Sequence, residues 1–294
     1  MIAMVKIGFV GAGRVGSTSA YAVLHTVDCD EIVLVDIIED LATGEALDLS
    51  TAAVAMGKDV IVKGGRDYSP LRNSDVIVIS AGVARKHGMT RLDLTKTNAA
   101  IISNVMRQAN LFAGAILVVV TNPVDVMTYM AYKASHKPRS EVLGMGSSHD
   151  TARLREQMLR YGVRANTMMI GEHGDSMFPL RADAEGINWD TITKATEERG
   201  MEVIKRKGAT YYAPASCVAE IVKAIINDEH VLIPVSAVLE GEYGLHDVAI
   251  GIPAIVGKRG AEVVEYDLDE NELTKLRESA NIIRKMIKDV SNFL

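Results

Sequence analysis

The chain has 294 residues, 48% apolar and 24% charged, a globular balance that excludes a disordered chain and leaves room for two domains with a substantial core. A net charge of −6 without a basic block argues against nucleic-acid or anionic-membrane partners, and two cysteines far apart, Cys29 and Cys217, suit a reducing compartment better than a disulfide framework. The sequence enters its first strand almost at once, with no stretch for a signal peptide, and its longest apolar run, Ala113 to Val120, is too short to span a bilayer. A cytoplasmic, soluble protein with no membrane contact is expected.

The first element is an apolar strand, Lys6-Ile7-Gly8-Phe9-Val10, running into Gly11-Ala12-Gly13-Arg14-Val15-Gly16 and then a helix to Thr26. A G-x-G-x-x-G turn between strand and helix is the pattern of a dinucleotide site: Gly11 for the tight turn, Gly13 for close approach to the pyrophosphate, Gly16 for packing of helix on strand. The next strand, Glu31 to Asp36, ends in an acidic residue twenty positions past Gly16, placed to accept hydrogen bonds from a ribose. A helix over Asp40 to Ala55 and a short strand, Asp59 to Lys63, before Gly64-Gly65 complete a βαβαβ half.

The second half repeats the alternation. Strand Asp75 to Ser80 leads into the loop Ala81 to Arg91, then helix Asp93 to Ala109, strand Ala115 to Thr121, a short helix from Val124 and strand Val142 to Met145. Strands that are apolar throughout, interleaved with helices, predict an α/β fold: a Rossmann, doubly wound parallel sheet. Ligands of such sheets lie at the C-terminal strand ends, so the loop after Ser80 and the turn Thr121-Asn122-Pro123 should face one crevice.

Past Ser147 the pattern changes to a mixed α+β region, so the expected domains are 1–146, dinucleotide-binding, and 147–294, substrate-binding and catalytic. A helix from Asp150 to Tyr161 precedes a strand through Met168 to Ile170 and the turn Gly171-Glu172-His173-Gly174-Asp175-Ser176. Helices are expected over Trp189 to Lys207 and Pro214 to Asn227, strands around Val231 to Leu239, Val248 to Ile255 and Val263 to Tyr266, and a closing amphipathic helix over Glu270 to Val290.

If the dinucleotide exchanges a hydride, the protein must supply a proton carrier and hold the substrate. His173, in a glycine-flanked turn that should expose its ring, is the best carrier available. An isolated histidine is more often structural. Its company changes that reading: Asp150 opens a helix, and Arg153, three positions on, shares its face. A carboxylate beside an imidazole favours the imidazolium, and an arginine fork holds a substrate carboxylate with two hydrogen bonds. The loop Ala81-Gly82-Val83-Ala84-Arg85-Lys86-His87-Gly88-Met89-Thr90-Arg91 carries three cations, Arg85, Lys86 and Arg91, and two glycines. It is either a solvated basic loop or a lid that closes cations over an anion.

Taken together, G-x-G-x-x-G with Asp36, the loop with Arg85 and Arg91, Thr121-Asn122-Pro123, Asp150-x-x-Arg153 and Gly-Glu-His173-Gly-Asp-Ser resemble the lactate/malate dehydrogenase family over nearly the whole chain, in the family's motif order. The resemblance implies NAD as cofactor, with Gly11, Gly13, Arg14, Val15, Gly16, Asp36, Ala81, Gly82, Asn98, Thr121 and Asn122 in its site. It implies His173 as acid/base paired with Asp150, Arg91 polarising the reacting carbonyl, Arg153 on the C1 carboxylate, Asn122 on substrate or nicotinamide, and Thr210 at the pocket floor. Arg85 falls at the specificity position, where malate enzymes of the family have Arg and lactate enzymes Gln. The implied reaction joins malate and oxaloacetate, small-molecule dicarboxylates, in a homodimer or homotetramer without a metal. A lactate or broad 2-hydroxyacid dehydrogenase is the alternative. Two positions depart from the family pattern: His87 replaces a frequent lid proline, which should loosen the loop, and His149 stands where an apolar residue usually precedes the aspartate. His149 is then either a buried neutral substitute or a second titrating group.

Overall fold

The computed structural model describes residues 4–84, 88–180 and 188–293. Its centre is a nine-stranded sheet. Six strands are parallel: β1 (Lys6–Val10), β2 (Glu31–Val35), β3 (Ile61–Gly65), β4 (Val76–Ile79), β5 (Ile116–Val119) and β6 (Val142–Gly144), in the spatial order β3-β2-β1-β4-β5-β6. That order reverses between β1 and β4, the switch point where a doubly wound sheet opens a crevice beyond its strand ends. β1, β2, β4 and β5 bury nearly every side chain, because helices cover both faces. The covering helices are α1 (Arg14–Thr26), α2 (Glu39–Ala55), α3 (Arg91–Met106) and α4 (Val124–Ser135).

The sheet does not stop at residue 146. After α5 (Gly146–Arg160), a two-strand ribbon of β7 (Met169–Ile170) and β8 (Phe178–Pro179), α6 (Trp189–Lys207) and α7 (Tyr212–Ile226), the chain returns as β9 (Val231–Glu240). β9 pairs antiparallel with β6 through Leu143 and Gly144, then with β10 (His246–Gly257), which pairs with β11 (Gly260–Val263). One hydrophobic core therefore runs through both halves, with a smaller cluster of Leu154, Met158, Met169, Met177 and Ile192 between α5, α6 and the ribbon. α8 (Glu270–Asp289) opens with a capping box between Asp269 and Glu272 and buries Leu276, Ala280 and Ile283 along one stripe.

Several boundaries differ from the sequence expectation, among them those of the last strand and of α5. The last strand begins at Gly260 rather than Val263, since Lys258 and Arg259 form a tight turn that pairs Gly257 with Gly260. α5 begins at Gly146, so Asp150 stands a full turn inside the helix. The helix end is thereby buried, and Asp150 with it. No described helix is long and apolar enough to cross a membrane.

Candidate active site

The turn after β1 is shaped for a diphosphate. Gly11 takes φ +104°, a left-handed conformation open to glycine, and a Cβ on Gly16 would lie 1.9 Å from the Gly11 carbonyl oxygen. A Cβ on Gly13 would meet nothing within 4 Å, so the turn faces open space at the N-terminus of α1, where Arg14 begins the helix and unpaired N–H groups favour an anion. Asp36 lies across this turn. Its Oδ2 accepts from the Ala12 N–H at 2.8 Å and its Oδ1 from the Ile38 N–H at 2.9 Å, and each oxygen keeps a lone pair for a hydroxyl. The residues present fit an NAD nucleotide.

The opposite wall is braced rather than open. Thr121 Oγ1 donates to the Ala81 carbonyl at 2.8 Å, and Gly82 packs against Thr121 and Asn98. Asn98 is buried: its Oδ1 accepts from the Val83 N–H at 2.8 Å while its Nδ2 donates to the Val83 and Asn122 carbonyls at 3.2 and 2.7 Å. That amide fixes the start of the loop against the Asn122–Pro123 turn, which contains a cis peptide bond, and leaves the Asn122 side chain exposed toward solvent.

The candidate proton-carrying group is built mainly from the far half of the chain. β7 is tied to β10 by reciprocal hydrogen bonds between Gly171 and Gly251 at 2.9 and 3.0 Å, and the chain then turns through His173. The His173 N–H donates to Oδ2 of buried Asp125, on α4, at 2.7 Å, and its ring Nδ1 lies 2.6 Å from Asp150 Oδ2. The other oxygen of Asp150 accepts from Arg153 Nη1 at 3.2 Å. Gly146 allows this packing: a Cβ there would come within 2.8 Å of the His173 Cβ. The His173 side chain keeps 15% of its surface exposed, so the turn buries most of the ring and presents its edge, against the expectation of an exposed ring.

Electrostatics follow from that burial. Desolvation alone would lower the His173 pKa, but the charge and hydrogen bond of Asp150, with Asp125 behind them, outweigh it and hold the imidazole above its ordinary value. Asp150 is held below the usual carboxylate range: burial pushes it up, and His173 and Arg153 more than reverse this. Burial pulls Arg153 below its usual range, and Asp150 compensates in part, which leaves a mostly buried cation with donors for an anion. His149 is buried with its ring centroid 6.2 Å from that of His173; burial, then the Arg153 charge, pulls its pKa down to about 3, so it is the neutral substitute and not a second titrating group. Burial raises Asp125 to about 6, although the His173 N–H draws it back.

The remaining expected residues are placed as follows. Arg91, the first residue of α3, pairs with Glu172 and with Asp175 at 3.4 Å, beside the His173 turn. Thr210 is half-buried in the connection between α6 and α7, which Lys207 braces by lying 3.5 Å from the Tyr211 ring centroid. Val15 is half-buried on α1. Arg85 and His87 lie outside the described residues. Asp125 and Glu172 were given no role from sequence. The available signal for Asp125 was a charge in an otherwise apolar stretch, Val124 to Met127, which demands a buried partner. The described residues contain no cluster of His, Cys, Asp and Glu able to hold a metal.

A dinucleotide cleft at the switch point and a His–Asp–Arg group beyond it define a nicotinamide-dinucleotide oxidoreductase. Residues 5–144 match the lactate/malate dehydrogenase NAD-binding domain, and residues 150–294 match the lactate/malate dehydrogenase alpha/beta C-terminal domain. The chain belongs to the lactate/malate dehydrogenase family. It is 50% identical over 292 residues to a malate dehydrogenase of Archaeoglobus fulgidus, covering 97% of this chain and 99% of that one, and 39% identical over 306 residues to L-lactate dehydrogenase 2 of Lactobacillus johnsonii, covering 97% and 98%. The solved structure of malate dehydrogenase from Archaeoglobus fulgidus in complex with NADH matches with a TM-score of 0.95 at 48% identity, covering 97% of this chain and 99% of that chain. A minor L-lactate dehydrogenase from Enterococcus mundtii matches at 0.89 and 32% identity, covering 98% of each chain.

Proposed function

We propose that the group around His173 carries reversible hydride transfer between NADH and oxaloacetate, giving (S)-malate, and that the chain is an NAD-dependent malate dehydrogenase. The observation that carries this reading is a single buried carboxylate, Asp150, with one oxygen on the His173 ring and the other on Arg153. Residues 1–146 hold the cofactor and lend Arg85, Arg91 and Asn122 to the substrate, and residues 147–294 supply the rest of the substrate site and the proton carrier. The nicotinamide, when bound, supplies or accepts the hydride at substrate C2.

Arg153, one of whose N–H groups donates to Asp150, binds the substrate C1 carboxylate with its remaining donors. Protonated His173 donates the proton on its outward Nε2 to the carbonyl oxygen during reduction and recovers it there from the hydroxyl during oxidation, while Asp150, accepting from Nδ1–H, fixes the neutral tautomer that leaves Nε2 free to take it. Arg91 stabilises the negative charge developing on the carbonyl oxygen, Asn122 donates to substrate or nicotinamide, and Thr210 closes the floor. Arg85 reads the second carboxylate, which is what favours a dicarboxylate over the lactate reading that some relatives' names would support. Exposed Leu47 and Val54 on α2 support a homodimer or homotetramer, and the cytoplasm is the compartment that the two free cysteines favour.

The test is His173→Asn. Turnover should be lost while NADH binding, followed by nicotinamide fluorescence, stays near wild type. An active Asn variant removes His173 from the mechanism.

A further inference from the structure

Arg91 and His173 come from opposite halves of the chain, and a reaction that uses both needs a fixed distance between them. The structure supplies one. The turn that carries His173 also carries Glu172 on one side and Asp175 on the other, and both pair with the Arg91 guanidinium. These two carboxylates are not equivalent. The Asp175 side chain is 98% exposed and its contact is 3.4 Å, a solvated pair that contributes little. The Glu172 side chain is 2% exposed. Its Oε1 faces Arg91 Nη2, and its Oε2 accepts from Ser176 Oγ at 2.7 Å. Ser176 is in turn held by Ser279 of α8, whose Oγ lies 2.7 Å from the Ser176 carbonyl and 3.0 Å from its Oγ. Gly174 leaves the space for the pair, because a Cβ there would sit 2.6 Å from Arg91 Nη2 and 2.7 Å from Glu172 Oε1.

We propose that Glu172 is the positioning residue for Arg91, a buried carboxylate anchored on α8 through Ser176 that holds the guanidinium at a fixed distance from His173. This rests on the role given above to Arg91. Two of the five guanidinium N–H donors can be spent on the carboxylates while the others remain for the substrate oxygen. The half-exposed Arg91 side chain at the first position of α3 would otherwise sample many rotamers, and a misplacement of about 1 Å costs on the order of a hundredfold in rate. Nothing in the proposal makes Glu172 touch substrate.

The experiment compares Glu172→Gln, Glu172→Asp, Arg91→Ala and the double variant Arg91→Ala/Glu172→Gln in steady-state oxaloacetate reduction. We expect Glu172→Gln to bind NADH as wild type, to keep the pH midpoint set by His173, and to lose on the order of ten- to a hundredfold in kcat. Glu172→Asp should recover part of that loss, and the double variant should be no slower than Arg91→Ala, because both changes remove one unit. Losses that multiply in the double variant overturn the proposal, as does a Glu172→Gln kcat within about twofold of wild type. Should Glu172→Gln fail to bind NADH, guanidinium ion added to Arg91→Ala decides: restored turnover supports a waiting buried carboxylate, and no restoration overturns it. A fully active Arg91→Ala instead refutes the catalytic role of Arg91, a separate failure.

Discussion

Among single residues, the proposed mechanism makes His173 the one that sets the pH dependence. Oxaloacetate reduction requires the protonated ring and malate oxidation the neutral one, and Asp150 holds the His173 pKa above its ordinary value. Reduction should therefore fall as pH rises past that raised pKa, while oxidation rises through the same midpoint. Asp150→Asn should move the midpoint down and slow both directions. Because burial keeps His149 neutral down to about pH 3, His149→Leu should leave the midpoint in place. A second midpoint that His149→Leu abolishes would contradict the assignment. Arg85 belongs to the same scale: opposite a second carboxylate at ~4 Å and an effective dielectric near 20, an Arg is worth up to ~4 kcal/mol. Arg85→Gln should lower kcat/KM for oxaloacetate and raise it for pyruvate, and an unchanged ratio would sink that specificity argument.

At the scale of elements, the site depends on how α5 is seated. Gly146 starts the helix against the His173 turn, so Gly146→Ala should push the ring off Asp150 and cut kcat, with NADH affinity little changed because the cofactor turn is elsewhere. α8 gives the complementary case. Leu276 is fully buried on its core stripe, and Leu276→Ala should destabilise by ~2–5 kcal/mol in denaturant unfolding with kcat preserved at low temperature. The pattern of the sequence was sufficient for these elements wherever period and punctuation agreed. The glycine turn after β1, the continuous apolar strands and the α8 stripe are local signals. The start of α5 was not legible, because Gly146-Ser147-Ser148 has poor helix propensity and is helical only through tertiary packing. The β10–β11 hairpin was missed for a different reason: Lys258 and Arg259 carry no strong turn signature.

For the whole molecule, the parallel half and its crevice were readable from strand-helix alternation, but the continuation of the sheet through β6 and β9 was not. That pairing joins segments about ninety residues apart and leaves no mark in either sequence. The site shows the same division. The grouping of His173, Asp150 and Arg153 was legible from motif and spacing, whereas the contacts of Asp125 and Glu172 with the His173 turn and Arg91 exist only in the folded chain. The assembled molecule joins the glycine turn after β1 to the mostly buried Arg153 held by Asp150, and Asp36 across that turn should make NADH the better cofactor than NADPH. Side-by-side kinetics with higher kcat/KM on NADPH would refute that preference. The central claim, that this machinery acts on malate and oxaloacetate, is tested most directly by NADH oxidation with oxaloacetate and pyruvate under identical conditions. The account predicts a kcat/KM for oxaloacetate on the order of a thousandfold above that for pyruvate, and comparable rates on the two substrates, or a preference for pyruvate, would contradict it.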